Sequence, residues 1–180
     1  HRQCNVLGDH IISKALDDRV GCAVLIKVLQ NLKSTRYKTY FVFTVQEEVG
    51  LRGARTSSFG IDPDLAIAVD VTLTGDTPEA ARMAVKLGLG PAVKIKDNSV
   101  LCHPRVKDAL IQSAKAAKVP YQMEVLEYGG TDAGAIHLTK SGVPAGGLSI
   151  PTRYVHTPSE MANVNDMEGA VNILLHLIQG

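Results

Sequence analysis

Short apolar segments alternate with longer amphipathic segments along this chain of 180 residues, a length that suits one ordinary domain. Helical spacing and capping residues, Ser13 among them, predict helices at 14–33, 53–58, 104–118, 131–141 and 165–178. Short apolar or alternating runs predict strands at 39–46, 65–69, 92–96, 121–127 and 145–150. This order predicts one α/β domain, a three-layer α/β/α sandwich around a mixed, mostly parallel sheet.

Composition argues against several classes of partner. The net charge is +1 and no basic stripe is interleaved with aromatic residues, so nucleic acid is not the expected partner. The three cysteines form no C-x-x-C pair, which is typical of reduced thiols in the cytoplasm. No apolar run is long enough to cross a membrane. We therefore expect a cytoplasmic protein that contacts neither nucleic acid nor membrane.

Two adjacent carboxylates, Glu47 and Glu48, follow the predicted strand at 39–46. Side by side they repel each other, and burial makes both charges costly. A bound cation removes that cost, and the pair is then able to divide the work, one carboxylate binding metal while the other moves a proton. A solvated turn or the start of a helix explains the pair equally well, so the pair alone does not decide the function.

Further acidic side chains are predicted at the same edge of the sheet, where sites of open α/β proteins gather. Asp70 directly follows the predicted strand at 65–69, and Asp17 and Asp18 lie in the first turn of the first predicted helix. Each also has a structural interpretation, since acidic residues favour helix N-termini and cap turns.

A histidine is predicted at this edge as well, because His156 lies in the loop after the strand at 145–150. Alone, a histidine in a proline-containing loop is usually a surface residue or a satisfied side chain. Together with the carboxylates it supplies oxygen and imidazole ligands. Such a donor set suits Zn, Co or Mn and differs from a soft thiolate site. Glu47, next to a ligand, is placed to activate a metal-bound water.

A glycine-rich turn at 129–134 is the next candidate, with Gly130, Thr131 and Asp132 as substrate-binding residues. Glycines allow close backbone approach, and N–H groups at a helix start bind an anion or a carbonyl. A turn followed by a capped helix explains the same residues and is compatible with that role. Arg153, in the loop at 151–156, is predicted either to bind a substrate carboxylate or to pair with an acidic neighbour.

Taken together, these motifs resemble the catalytic domain of the M42-family aminopeptidases, a group that includes large tetrahedral (TET) assemblies and proteins once labelled endoglucanases. The resemblance covers essentially the whole chain, and the order and spacing of its motifs are specific only as a set. The matching segments are 14–19, 46–54, 68–72, 129–133 and 153–156. The fold that the resemblance implies is the zinc-peptidase-like sandwich.

The resemblance implies a role for each candidate residue in a site with two divalent ions, Zn or Co. Asp17 bridges the ions, Glu48 and His156 complete one metal site, and Asp70 belongs to the other. Glu47 is the general base and acid. The implied reaction releases N-terminal amino acids from short peptides, and the implied assembly is a homo-oligomer, a dodecamer built from dimers. Related co-catalytic metallohydrolases, such as deacylases or carboxypeptidases, and a non-catalytic domain that retains the fold are the alternatives.

One family motif is missing: none of the six histidines is followed two positions later by Asp, so the His-x-Asp metal ligand has no counterpart. The chain also starts at His1-Arg2-Gln3, which is not a natural initiation. On this resemblance, residues 1–180 form the C-terminal part of a catalytic domain, without an upstream catalytic segment and an inserted dimerisation domain. We therefore expect the 180 residues alone to be inactive.

Overall fold

The structure is a computed structural model that describes residues 4–80 and 82–180, so the atypical start at residues 1–3 lies outside the described residues. The helices are α1 (Leu16–Asn31), α2 (Arg52–Ile61), α3 (Pro104–Ala116), α4 (Ala133–Ile136) and α5 (Val164–Gln179). The strands are β1 (Cys4–Leu7), β2 (His10–Ser13), β3 (Ala66–Thr72), β4 (Ala92–Lys96), β5 (Gln122–Val125), β6 (Ala145–Arg153) and β7 (Glu160–Asn163). Among these, no helix has the length and apolar character needed to cross a bilayer.

Seven strands form one mixed sheet in the order β1-β2-β7-β6-β4-β5, with β3 also paired to β6. The β3–β6 and β4–β5 pairs are parallel, and the other four pairs in the described residues are antiparallel. The mixed α/β sheet is therefore confirmed, but the expected excess of parallel pairs is wrong. Hairpins account for two of the four antiparallel pairs, because β1–β2 and β6–β7 join sequential strands through short connections.

The alternation of side chains along β3 and β6 places helices on both faces of the sheet. Val71, Leu148 and Ile150 join the main core, which is formed with α1, α3 and α5. On the opposite face of β3, Ala68 packs with Ala133 of α4, and α4 contacts α2. These contacts form the three layers that the sequence predicts.

Most predicted elements are present with shifted ends. The first helix begins at Leu16, after a left-handed Ala15 and without a side-chain cap, so Ser13 is not its cap. The helix predicted at 131–141 is only the four residues of α4. Strand β3 extends to Thr72, so Asp70 lies inside a strand and not after one. The sequence interpretation also missed β1, β2 and β7.

The largest error concerns residues 39–46, which belong to no strand. Tyr40, Val42, Phe43 and Val45 are between 37% and 67% exposed. An apolar pattern makes a strand only where a neighbouring backbone accepts its ladder hydrogen bonds, and none of the described residues does so here. The segment instead ends against α2, where the amide of Gly53 donates to the Val45 carbonyl at 2.9 Å.

Candidate metal centre

Three side chains from distant parts of the chain meet at the carboxyl end of β6. Nε2 of His156 lies 3.1 Å from Oδ2 of Asp17 and 3.2 Å from Oε2 of Glu48. One potential ligand atom from each residue lies within 4.8 Å of the other two. Asp17 comes from the start of α1, Glu48 from the turn before α2, and His156 from the β6–β7 loop. This trio is the set predicted for one metal.

A second trio shares Asp17 with the first. It combines Asp17 with Asp18 and Asp70, whose oxygen atoms also lie within 4.8 Å of one another. Asp70 is placed by β3, and Asp18 directs one oxygen to the Gly21 amide at 3.1 Å. Asp18 is not among the ligands that the family resemblance implies, because relatives can carry Asn at this position. Two adjacent acidic residues there were the signal that could have included it.

The carboxylates of the two trios destabilise one another in their charged forms. Burial first and the neighbouring Glu48 second raise the pKa of Asp17 to about 6. Burial and Asp70 raise the pKa of Asp18 to about 9, and burial and Glu47 raise that of Asp70 to about 8. Such a cluster of carboxyl groups holds protons at neutral pH unless a bound cation compensates its negative charge. The site therefore has the electrostatic character of a cation site.

Glu47 lies beside both trios without belonging to either. Burial first, then Asp132 and Glu48, raise its pKa to about 7. The backbone fixes its position, because the Glu47 carbonyl accepts the amides of Gly50 at 3.0 Å and Leu51 at 2.9 Å. A carboxyl group with a pKa near neutrality both accepts and donates a proton readily, as a general base and acid must.

The backbone is strained at the segments that carry these side chains. Ala15, Gln46, Leu51, Tyr154 and His156 all have positive φ, between 52° and 64°. Such conformations cost roughly 1–3 kcal/mol each for residues other than glycine and cluster at functional sites. The surrounding contacts hold each ligand-bearing turn in a shape that its own sequence does not prefer.

The glycine-rich turn predicted to bind substrate borders the site through Asp132. Its Oδ2 accepts the Thr44 hydroxyl at 2.6 Å, and its buried Oδ1 has no hydrogen-bond partner among the described residues. Thr131 is only 2% exposed, and its hydroxyl donates to Asp97 at 3.4 Å. Gly130 packs against Ser99, whose hydroxyl would lie 2.8 Å from an added Cβ. The Asp132 side chain borders the candidate ligands, and the substrate contacts predicted for Gly130, Thr131 and Asp132 stay predictions.

Arg153 is paired with an acidic neighbour, the second of its two predicted roles. Its Nε donates to Oδ1 of Asp76 at 3.1 Å and its Nη2 to Oδ2 at 2.8 Å. Asp76 also accepts the Leu87 amide at 3.0 Å, and Arg153 contacts the Met161 sulfur. The guanidinium is thus committed within the chain, and its predicted contact with substrate stays a prediction.

Sequence reasoning missed Glu160 altogether. This residue begins β7 and is 2% exposed, and its two oxygens accept the amides of Asp17 at 3.1 Å and His156 at 2.8 Å. A glutamate in the polar run after His156 carried no signal in a single sequence. Only the fold reveals that it joins two of the candidate ligands.

The donor set fits one or more divalent metal ions. Asp17, Glu48 and His156 supply two carboxylates and an imidazole, ligands that zinc and similar ions accept. The second trio supplies only carboxylates. The raised pKa values of Asp17, Asp18 and Asp70 provide the physical reason for a cation here, since positive charge would lower them. Fold and site together define an α/β protein with a cluster of side chains that could hold metal ions.

Comparison with known proteins assigns the family. The profile of the M42 glutamyl aminopeptidases matches residues 1–173. The chain belongs to the M42 peptidase family, as its motifs indicated. A protein of Acetivibrio thermocellus provisionally assigned as an aminopeptidase is 60% identical over 171 residues, which are 95% of this chain and 52% of that protein.

Solved structures agree with the family assignment. The aminopeptidase APDkam598 of Desulfurococcus kamchatkensis superposes with a TM-score of 0.95 at 44% identity, over 99% of this chain and 51% of that one. The TET1 peptidase of Pyrococcus horikoshii, which assembles into a tetrahedron or a large octahedral shell, has a TM-score of 0.86 at 32% identity over 98% of this chain and 52% of its own. The chain thus spans about half the length of these relatives.

Proposed function

We propose that these residues form part of a dinuclear metal-dependent aminopeptidase that releases N-terminal amino acids from short peptides. The observation that carries the proposal is the pair of ligand trios that share Asp17, next to a fifth carboxylate, Glu47, that belongs to neither. Two adjoining cation sites beside a free carboxylate with a pKa of about 7 suit hydrolysis of an amide bond. Zn or Co is the proposed metal.

Glu47 takes the proton from the attacking water and later gives it to the leaving amine. When bound, the metals supply Lewis-acid activation of the water and of the scissile carbonyl. Burial is the largest cause of the raised pKa of Glu47 and supports its role as proton acceptor, because a less acidic carboxyl group binds a proton more strongly. Asp17 is held by the start of α1, Asp70 by β3 and Glu47 by the turn before α2, so regular structure positions the ligands and the base.

Asp132 is the proposed acceptor for the free α-ammonium group of the substrate. Its buried Oδ1 has no partner among the described residues, while Oδ2 is held by Thr44. A buried carboxylate oxygen without a partner favours binding of a cationic donor. A free N-terminus supplies that donor, which would explain selectivity for the first residue of a peptide.

We also propose that a segment upstream of these residues completes the site. The trio around Asp70 contains no histidine, and the sequence contains no His-x-Asp motif. The exposed apolar side chains of 39–46 offer a surface for such a segment. A dimerisation domain inserted before residue 1, a homo-oligomer built from dimers into a dodecamer, and a cytoplasmic location are parts of the same proposal. Light scattering of the natural full-length protein tests the assembly.

Replacement of Glu47 by Gln in the natural full-length protein tests the proposed mechanism. Gln keeps the shape but holds no exchangeable carboxyl proton, so turnover of aminoacyl substrates should fall by at least about 10²-fold while the metal content is unchanged. Arg55→Gln, on the exposed side of α2, is the control and should keep wild-type turnover. Near-normal turnover of the Glu47→Gln protein would refute the role. A wild-type protein without peptidase activity or bound metal would favour a non-catalytic domain.

A further inference from the structure

A single buried carboxylate connects two segments of the metal centre that lie far apart in sequence. Oε2 of Glu160 accepts the Asp17 amide and Oε1 accepts the His156 amide, at 3.1 Å and 2.8 Å. The residue is 2% exposed, so the carboxylate itself is buried. The ligands that it joins are 139 positions apart.

The sheet explains why Glu160 reaches both segments. As the first residue of β7 it pairs with Ser13, the last residue of β2, four positions before Asp17. On its other side, β7 forms a hairpin with β6, and the turn of that hairpin carries His156. Glu160 therefore lies where the strand leading to one ligand meets the loop carrying the other.

Both ligand segments need such a support. His156 has φ of 64° and Ala15, shortly before Asp17, has φ of 52°. The His156 side chain is 67% exposed, so packing alone does not hold its ring against Asp17. A strained and exposed turn returns to lower-energy conformations unless hydrogen bonds prevent it.

We propose that Glu160 is a positioning residue for the metal centre, which fixes the backbone of Asp17 and of His156 at the separation that one ion requires. The proposal rests on the proposed metal-dependent function. Residues that hydrogen-bond to metal ligands without binding the metal themselves typically contribute about 10–100-fold to metal affinity. Glu160 differs from the usual case because it holds the backbones of the ligands and not their side chains.

The test uses the natural full-length protein loaded with Zn or Co, with Glu160→Gln and Glu160→Asp as the variants. Gln removes one of the two acceptors and the charge, whereas Asp keeps the charge but has a shorter reach. We expect both variants to bind zinc about 10–100-fold more weakly in competition with a chelator. We also expect both to change the visible absorption of the cobalt-loaded protein, which reports ligand geometry.

Asp166→Asn is the matched control. Asp166 is another fully buried carboxylate that accepts two amides, those of Gly88 and Gly90, both at 2.7 Å, but neither belongs to a ligand. We expect this variant to lose stability toward denaturant while keeping its zinc affinity and cobalt spectrum within about twofold of wild type.

Three results would overturn the inference. Unchanged zinc affinity in Glu160→Gln would show that the ligands need no support, and wild-type affinity in Glu160→Asp would show that only charge matters. Equal weakening by Asp166→Asn would show a general loss of stability.

If neither Glu160 variant folds, amide hydrogen exchange of the wild-type protein tests the proposal. The amides of Asp17 and His156 should be protected from exchange, and fast exchange of both would contradict the proposal. Metal binding without peptidase activity would refute the proposed function alone.

Discussion

Replacement of Arg153 by Met should lower stability and leave substrate binding unchanged. The ion pair with Asp76 lowers the pKa of that carboxyl from 3.8 to about 2, chiefly through the hydrogen bonds of Arg153. At about 1.4 kcal/mol per pH unit this corresponds to about 2 kcal/mol of unfolding free energy. Because the Arg153 and Asp76 side chains are 27% and 14% exposed, solvent screening reduces the expected contribution to about 1–2 kcal/mol.

Thermal unfolding at several pH values measures this contribution. For a protein of this size, about 1–2 kcal/mol lowers Tm by about 2–8 °C. The folded-state pKa of Asp76 lies below its unfolded value, so the contribution is complete above about pH 4 and is lost as pH falls toward about 2. The Tm difference between wild type and Arg153→Met should therefore shrink over that range.

The control for this prediction is Lys140→Met, which removes an exposed ion pair with Asp62 and should change stability by less than about 1 kcal/mol. A Tm difference for Arg153→Met that stays constant from pH 7 to pH 3 would contradict the electrostatic reasoning. A KM raised about tenfold with an unchanged Tm would contradict the structural role, and would restore Arg153 as a contact to the substrate carboxylate.

Further predictions concern packing and metal. Lys94→Met leaves the buried Glu124 and Asp97 carboxylates without their cation and should cost about 3–5 kcal/mol in denaturant unfolding, whereas Lys94→Met with Glu124→Gln should recover only part of it, because Asp97 stays unpaired with a cation. Gly53→Ala places a Cβ 2.5 Å from the Val45 backbone and should displace the adjacent turn, with weaker metal binding by calorimetry as the readout. Metal at about 1,000 times its Kd should stabilise the protein by about 4 kcal/mol, and EDTA should reverse the rise in Tm.

The sequence predicts the fold well where local patterns and tertiary packing agree. The strand at 92–96 and the helix starting at Pro104 have the predicted bounds or nearly so, because an apolar run and a proline at the first helical turn carry local information. The apolar run at 39–46 carries the same pattern but belongs to no strand. Pairing depends on a neighbouring backbone, which hydrophobicity does not encode.

The candidate site, like the fold, is only partly predictable from the sequence. The sequence places Asp17 and His156 near one edge of the sheet, but it places Glu48 there through a strand at 39–46 that the structure does not contain. The turn before α2 brings Glu48 to the other two ligands instead. The hydrogen bonds of Glu160 and Arg153 depend on which polar groups the fold brings together over long sequence separations. The polar composition of their loops was compatible with several partners, and only the three-dimensional arrangement selects Asp76 for Arg153 and the two ligand amides for Glu160.

Metal titration of the natural full-length protein, with hydrolysis of aminoacyl substrates followed in the same samples, tests the central claim most directly. The account predicts two ions per chain, with peptidase activity appearing as the second ion binds, and loss of the tighter ion when Asp17 is replaced by Ala. Full activity in a metal-free protein, or a stoichiometry that Asp17→Ala leaves unchanged, would contradict it.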